Sequence, residues 1–188
     1  AKTMFDAEQQ GLRAIESTKT IAVPHVHLVD EWDGKAFLLM DFIESRRPNA
    51  KDYMHLGRDM ANLHLNSNDQ FGFSSDNFIG SLPQSNAWHA DWAEFYWDER
   101  IAPQLELTKK NKGLEEKYIP SKESALIVFR QVFGEVKPSL LHGDLWGGNY
   151  LIAAEGTPYL IDPAVCYGHS MMDVAMSRLF GGFDAEFY

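Results

Sequence analysis

The stretch Leu140-Leu141-His142-Gly143-Asp144-Leu145-Trp146-Gly147-Gly148-Asn149 decides the fold. It is followed by Tyr150-Leu151-Ile152-Ala153, the turn formers Ala154-Glu155-Gly156-Thr157, and Tyr159-Leu160-Ile161-Asp162-Pro163. Leu140-Leu141 reads as a short buried strand that delivers His142 and Asp144 into a glycine-rich loop shaped for a ligand. The two apolar runs about the turn read as a β-hairpin, with Asn149 and Asp162 at its open end. Directly opposed residues on paired strands sit roughly 4.5–5.5 Å apart, close enough for two side-chain oxygens to share one hard cation. Mg²⁺ suits such a pair, because it takes few carboxylates and completes its shell with water and phosphate oxygens. Asp144 is then free to accept a proton from an attacking hydroxyl.

This spacing resembles the protein-kinase arrangement, in which a catalytic-loop Asp is followed by a metal-binding Asn, and a further Asp follows a hairpin. The three positions here are Asp144, Asn149 and Asp162. His-Gly-Asp in place of His-Arg-Asp, and Ile-Asp-Pro in place of Asp-Phe-Gly, is similar to the small-molecule kinases of that fold, such as aminoglycoside and choline kinases. The expected class is therefore α+β, a protein-kinase-like fold with a partial small lobe and a mostly helical large lobe that carries the catalytic β-hairpin. Residues 1–43 would be what is present of the nucleotide-binding lobe, and residues 44–188 the catalytic lobe.

Upstream, residues 4 to 16 read as a helix with Phe5, Leu12 and Ile15 on one face and Glu8 on the same stripe. A carboxylate on a buried face needs a partner. In kinases the corresponding helix carries a Glu that pairs with a strand lysine holding the nucleotide phosphates, and Glu8 is the candidate here. Ile21 to Asp30 and Lys35 to Ile43 read as two strands joined by Trp32-Asp33-Gly34. The second strand ends at Met40, Asp41, Phe42 and Ile43, where in a kinase the lobes join and backbone groups meet the adenine. His25 and His27 share a strand face without a third ligand nearby and read as surface histidines.

Lys51 to Asn66 reads as a helix with Tyr53, Leu56, Met60 and Leu63 buried and His64 packed at its end. The stretch from Phe71 to Trp88 holds too many turn formers for regular structure; an aromatic-stapled surface loop and a wall of the substrate site fit it equally. Asp91 and Glu94 start the next helix, which Pro103 should kink or end soon after Ile101. Residues 109–113 form a basic, solvated connector. Ser121 to Phe133 is a helix closed by Gly134. Gly168 to Phe180 is another, containing Asp173, which either hydrogen-bonds the catalytic-loop backbone or lies in the first turn where the dipole favours it.

Composition narrows the classes. With 188 residues, 45% hydrophobic and 13% aromatic, the chain can bury a substantial core. A net charge of −10 and clusters of Lys and Arg too sparse for a phosphate backbone exclude a nucleic-acid role. No apolar run is long enough to span a bilayer and the first residues lack a signal-peptide layout, so no membrane role and a cytoplasmic location are expected. The single cysteine, Cys166, reads as a small buried thiol.

Taken together, the motifs resemble the fructosamine-3-kinase (ketosamine-3-kinase) family, bacterial branch. The likeness rests on Met4-Phe5-Asp6-Ala7-Glu8 with Gly11-Leu12, on Phe71-Gly72-Phe73 through Asp76-Asn77 and Pro83-Gln84-Ser85-Asn86 to Trp92, and on His142 through Asn149. The resemblance implies ATP- and Mg²⁺-dependent phosphorylation of the sugar 3-hydroxyl of a ketosamine, free or protein-linked, whose 3-phosphate then decomposes and frees the amine. It assigns Asp144 to the hydroxyl, Asn149 and Asp162 to the metal, and Trp146 and His142 to the substrate. Family members also carry a glycine-rich phosphate loop and a lysine partner for Glu8 ahead of this start, and further helices after Gly181-Gly182. The chain therefore reads as truncated at both ends, with weak nucleotide binding, poor turnover and possible self-association as expectations. Other readings are an aminoglycoside- or choline-type kinase, or a non-catalytic nucleotide- or protein-binding fragment of this fold.

Overall fold

A computed structural model describes residues 1–111, 113 and 115–188. Helix α1, Lys2–Thr18, forms because Leu12 and Ile15 recur at helical spacing on the buried face, and it stops at Lys19, whose backbone turns left-handed (φ 57°). Strands β1, Val26–Trp32, and β2, Lys35–Met40, pair antiparallel. Asp33 (φ 50°) and Gly34 (φ 70°) make the tight turn between them, both with the positive φ such a two-residue connection demands. The expected strands from Ile21 and up to Ile43 are both shortened. Ahead of β1, Pro24 has no N–H for a ladder, and Ile21 is used instead to fill the core. After Met40 the chain leaves the strand, although Asp41 N still donates to His25 O at 3.0 Å.

Strand β3, Ser45–Arg46, joins the edge of a three-stranded antiparallel sheet, β3-β7-β8, whose other members are β7, Tyr150–Ala153, and β8, Pro158–Leu160. Helix α2, Ala50–His64, opens on a capping box between Asn49 and Asp52 and buries Leu56, Met60 and Leu63. Residues 77–84, expected to be irregular, instead form a short hairpin of β4, Asn77–Ile79, and β5, Leu82–Gln84, closed by Gly80 at φ 56°. The turn formers that argued against structure supply its turn and its two feet.

Helix α3, Trp92–Phe95, capped by Asp91, runs through a π-helical segment, Tyr96–Ile101, into α4, Ala102–Lys110. The expected break at Pro103 does not occur. The widened turn, in which Ala102 N donates to Trp97 O five residues back, precedes the proline and leaves it in the first turn of α4, where a missing N–H costs little. Of the connector 109–113, Lys112 lies outside the described residues. Helix α5, Lys122–Phe133, has the expected Ser121 cap and Gly134 stop. Strand β6, Ser139–Leu141, pairs antiparallel with β9, Cys166–Gly168, and α6, Met171–Phe180, follows.

The larger core cluster joins Ile15 and Ile21 to Leu56, Met60 and Leu63 of α2 and to Leu140, Leu145, Ile152 and Leu160 around the loop 142–149. Residues 1–43 thus share a core with the helical part. A second cluster gathers Phe71, Trp92, Phe95, Leu141 and Cys166. Cys166 is fully buried, and burial pushes its thiol pKa up. Among the described residues no helix is long and apolar enough to cross a membrane.

Candidate active site

Leu140 and Leu141 are buried in β6 and hold the loop that follows. His142, also fully buried, is neutral: burial pushes its pKa down. With a proton on Nε2 it donates to Ile161 O (3.0 Å), and its free Nδ1 accepts from Asp144 N (3.2 Å). One imidazole therefore ties the catalytic loop to the strand that leads into Asp162. The expected substrate contact from His142 is not met, because the ring shows no surface and both nitrogens are engaged within the protein.

Gly143 sits at φ 83°, and a Cβ there would collide with the carbonyl of Ala164. Asp173 of α6 resolves the loop backbone. Its Oδ2 accepts from His142 N and its Oδ1 from Gly143 N, each at 2.9 Å, and His64 Nε2 meets Oδ2 at 2.9 Å. Burial alone would raise the Asp173 pKa, but the His64 bond, the nearby His142 and the Gly143 N–H hold it below its ordinary value. Of the two roles open for Asp173, the structure therefore shows the bond to the catalytic loop. The signal was available: Asp173 and Ser177 lie four apart on the buried side of α6.

Asn149, buried, lies opposite Ile161, its carbonyl accepting from Ile161 N at 3.1 Å. Its Nδ2 donates to Asp144 Oδ2 (3.0 Å) and Asp144 O (2.9 Å) and approaches Asp162 O at 3.5 Å. Asn149 and Asp162 thus both lie at the open end of the β7–β8 hairpin, but Asn149 pairs with Ile161 and reaches Asp162 only from its amide nitrogen to the backbone carbonyl, with Asp144 bonded to the same amide. The Asp144 pKa is raised, chiefly by burial, and the His142 and Asn149 contacts only partly oppose this.

Asp144 and Asp162 face a cavity of about 900 Å³. Helix α1 forms one side, and Gly11 is what lets it approach: a Cβ there would lie 3.0 Å from Pro163 Cγ. Glu8 consequently faces the cavity, and burial first and Asp162 second push its pKa up to about 7. Met40, Asp41, Phe42 and Ile43 line the cavity too, with Asp41 bonded to His27 at 2.8 Å. Asn77, Phe78 and Gly80 of the β4–β5 hairpin close it from another direction, so part of the segment from Phe71 to Trp88 lines this cavity. Trp146 stands outside the lining, 42% exposed, its ring packed where a Cβ on Gly148 would fall.

The lining holds four acidic residues, Glu8, Asp41, Asp144 and Asp162, and among the described residues neither Lys nor Arg. Among the described residues no three His, Cys, Asp or Glu side chains converge on one ion. Two hard oxygen donors, from Asn149 and Asp162, suit Mg²⁺, which keeps several waters and takes its other ligands from phosphates. An anionic ligand entering this acidic cavity needs such a cation, since like charges at close range repel by several kcal/mol at an effective dielectric of roughly 20.

The family model for "Fructosamine kinase" matches residues 1–188. A probable ketoamine kinase of Enterococcus faecium is 40% identical over 190 residues, covering 99% of this chain and 66% of its own length. The chloroplastic protein-ribulosamine 3-kinase of Arabidopsis thaliana is 39% identical over 195 residues, covering 98% of this chain and 57% of its own. A crystal structure described as a "putative fructosamine-3-kinase" from Haemophilus somnus superposes with a TM-score of 0.87 at 27% identity, over 100% of this chain and 63% of that one. The chain therefore spans about two thirds or less of the length of these three proteins. With a kinase-like α+β fold, the loop and hairpin geometry above, and a family match from first residue to last, it belongs to the fructosamine kinase family.

Proposed function

We propose that the chain catalyses ATP-dependent phosphorylation of the 3-hydroxyl of ketosamines, small or protein-linked, the step that leads to deglycation. The observation that carries this reading is that Asp144 and Asp162 line one cavity together with residues 40–43, while Asn149, buried behind them, bonds the Asp144 carboxylate through Nδ2. The names of the relatives supply the acceptor class: a ketoamine kinase and a protein-ribulosamine 3-kinase.

In this reading residues 40–43 receive the adenine through their backbone. Asn149 and Asp162 hold Mg²⁺. Bound there, the ion supplies charge neutralisation between the phosphates and the acidic cavity. Asp144, its pKa raised by burial, is a better proton acceptor than a solvated aspartate and orients the acceptor hydroxyl. The Nδ2 of Asn149 fixes its carboxylate for that task. Half-exposed Trp146 offers an aromatic face to the acceptor, and Glu8 awaits a cationic partner near the phosphates. His142 and Asp173 act on the backbone of the loop, as positioning residues. Catalysis on this plan is orientation and electrostatics more than covalent work. Residues 1–43 serve the nucleotide and residues 44–188 the acceptor and the metal, and the enzyme works in the cytoplasm.

ADP release from Mg-ATP, compared among a fructose–amine adduct, an aminoglycoside and choline, tests the acceptor. The fructose adduct is expected to raise ADP release and the other two to leave it at the background rate. Faster release with either cationic acceptor would overturn the assignment.

A further inference from the structure

The π-helical segment Tyr96–Ile101 and the β4–β5 hairpin are joined by a polar cluster that none of the roles above uses. Arg100 is half-buried, yet among the described residues it meets no carboxylate at ion-pair distance. Its Nη1 donates to Ser85 O (2.6 Å) and Glu99 O (2.9 Å), its Nη2 donates to Asn86 Oδ1 (2.6 Å), and the guanidinium lies 4.7 Å from the Phe95 ring centre. A half-buried guanidinium whose partners are neutral oxygens, with the Cys166 thiol also in reach, fixes the segments that supply them. The neighbouring Glu99 reaches the same segment, its Oε1 lying 2.9 Å from His89 Nε2. The widened turn thus sets two consecutive side chains on residues 85–89, and such π turns concentrate at functional sites.

Asn86, 1% exposed, is the hub. Besides accepting from Arg100, it donates from Nδ2 to Ser75 O (3.1 Å) and from its backbone N to Asp76 Oδ1 (2.9 Å), and its carbonyl accepts from Phe73 N (2.9 Å). All four of its polar groups are committed, and they clamp the segment before β4 to the segment after β5. Asn77 then pins the hairpin to the catalytic side: its Nδ2 donates to Val165 O (2.8 Å), three residues beyond Asp162, while Gln84 Nε2 donates to its Oδ1 (3.0 Å). Ser75 Oγ donates to Gln10 Oε1 (2.6 Å) on α1, the helix that carries Glu8. The hairpin is fastened to the elements bearing Glu8 and Asp162, and it presents Phe78 and Gly80 to the cavity that Asp144 also lines. With Asn77 used up by these bonds, what it offers a ligand is the ring of Phe78, suited to the carbon skeleton of a sugar adduct.

We propose that the β4–β5 hairpin is the acceptor-selecting wall of the cavity, with Phe78 as its contact and Arg100 as the positioning residue that holds it through Asn86. The inference rests on the phosphotransfer reading above and deepens it. Arg100→Lys keeps the charge and loses the fork that reaches Ser85 and Asn86 together; Phe78→Ala removes the contact and leaves the clamp. Calorimetric titration of the wild type and both variants with fructosyl-lysine, and separately with Mg-ADP, tests it, with thermal melts alongside. Each variant is expected to bind fructosyl-lysine about tenfold more weakly, the loss of one aromatic contact, and Mg-ADP as the wild type does. Fructosyl-lysine affinity unchanged in both variants would overturn the inference while leaving the kinase reading intact. So would a parallel loss of both ligands and of melting temperature in Arg100→Lys, which marks a merely structural arginine. A wild type that takes Mg-ADP and no fructosyl-lysine would overturn the ketosamine reading, and this inference with it.

Discussion

Asp162 holds a left-handed backbone (φ 54°) that an aspartate adopts at a cost of about 1–2 kcal/mol. The surrounding bonds over-determine it: Ile161 N to Asn149 O on one side, and Ala164 N to His142 O (2.9 Å) on the other. The strain keeps its carboxylate at the cavity with Asp144 and Glu8, and Glu8 registers the crowding. Its pKa rises from an ordinary 4.5 to about 7, so the folded chain binds that proton more tightly than the unfolded chain does. The contribution is fully present below pH about 4.5 and is lost as pH rises through about 7. Thermal melts across this window should fall with pH in the wild type and fall less in Glu8→Gln. Above the window the variant should melt higher by on the order of 2–4 °C, since solvent screening at this partly exposed site limits the effect to about 1 kcal/mol. Parallel melting curves for the two proteins would contradict this assignment of Glu8.

At the scale of elements, the loop Trp146-Gly147-Gly148 is held by a partner distant in sequence, the segment after α6. Gly147 N donates to Gly181 O at 3.0 Å, and a Cβ on Gly147 would lie 2.8 Å from Gly182 Cα. Gly182, at φ 98°, is fixed in turn by Tyr150 Oη, which donates to its carbonyl at 2.7 Å. Gly182→Ala would meet both the strained angle and the Gly147 backbone. It should destabilise the chain by about 2–4 kcal/mol in urea denaturation and shift the fluorescence that Trp146→Phe removes. An unchanged midpoint would exclude the clamp. None of this was legible in the sequence, where nothing ties Gly181-Gly182 to the loop at residues 146–148. What was legible is local: the α1 and α2 stripes, the ends of α5, the Asp33-Gly34 turn, and the β7–β8 hairpin that carries Asn149 and Asp162 at one end. What was missed depends on side-chain bonds and a backbone irregularity that periodicity does not report. The β4–β5 hairpin is assembled by Asn86 and Arg100, and the helix survives Pro103 because a π turn absorbs it. His142 entered the substrate site through the family resemblance, and the motif does not tell on which side of the glycine loop its ring packs.

At the scale of the whole molecule, one core joins residues 1–43 to the catalytic segment, and the cavity lies where α1, β2, the β4–β5 hairpin and the catalytic loop meet. Its concentration of carboxylates without Lys or Arg in the described lining accords with a net charge of −10, and it makes a cation part of any phosphate-binding account. The proposal stands or falls on transfer of the γ-phosphoryl of ATP to a ketosamine hydroxyl that Asp144 orients and deprotonates. Phosphorus NMR of Mg-ATP and a fructose–amine adduct, with the chain in excess over nucleotide so that one turnover is visible, tests it most directly. A new sugar-phosphate resonance, assigned to the 3-position, is expected with the wild type and none with Asp144→Asn. No sugar phosphate with the wild type, or an equal yield from the variant, would contradict it.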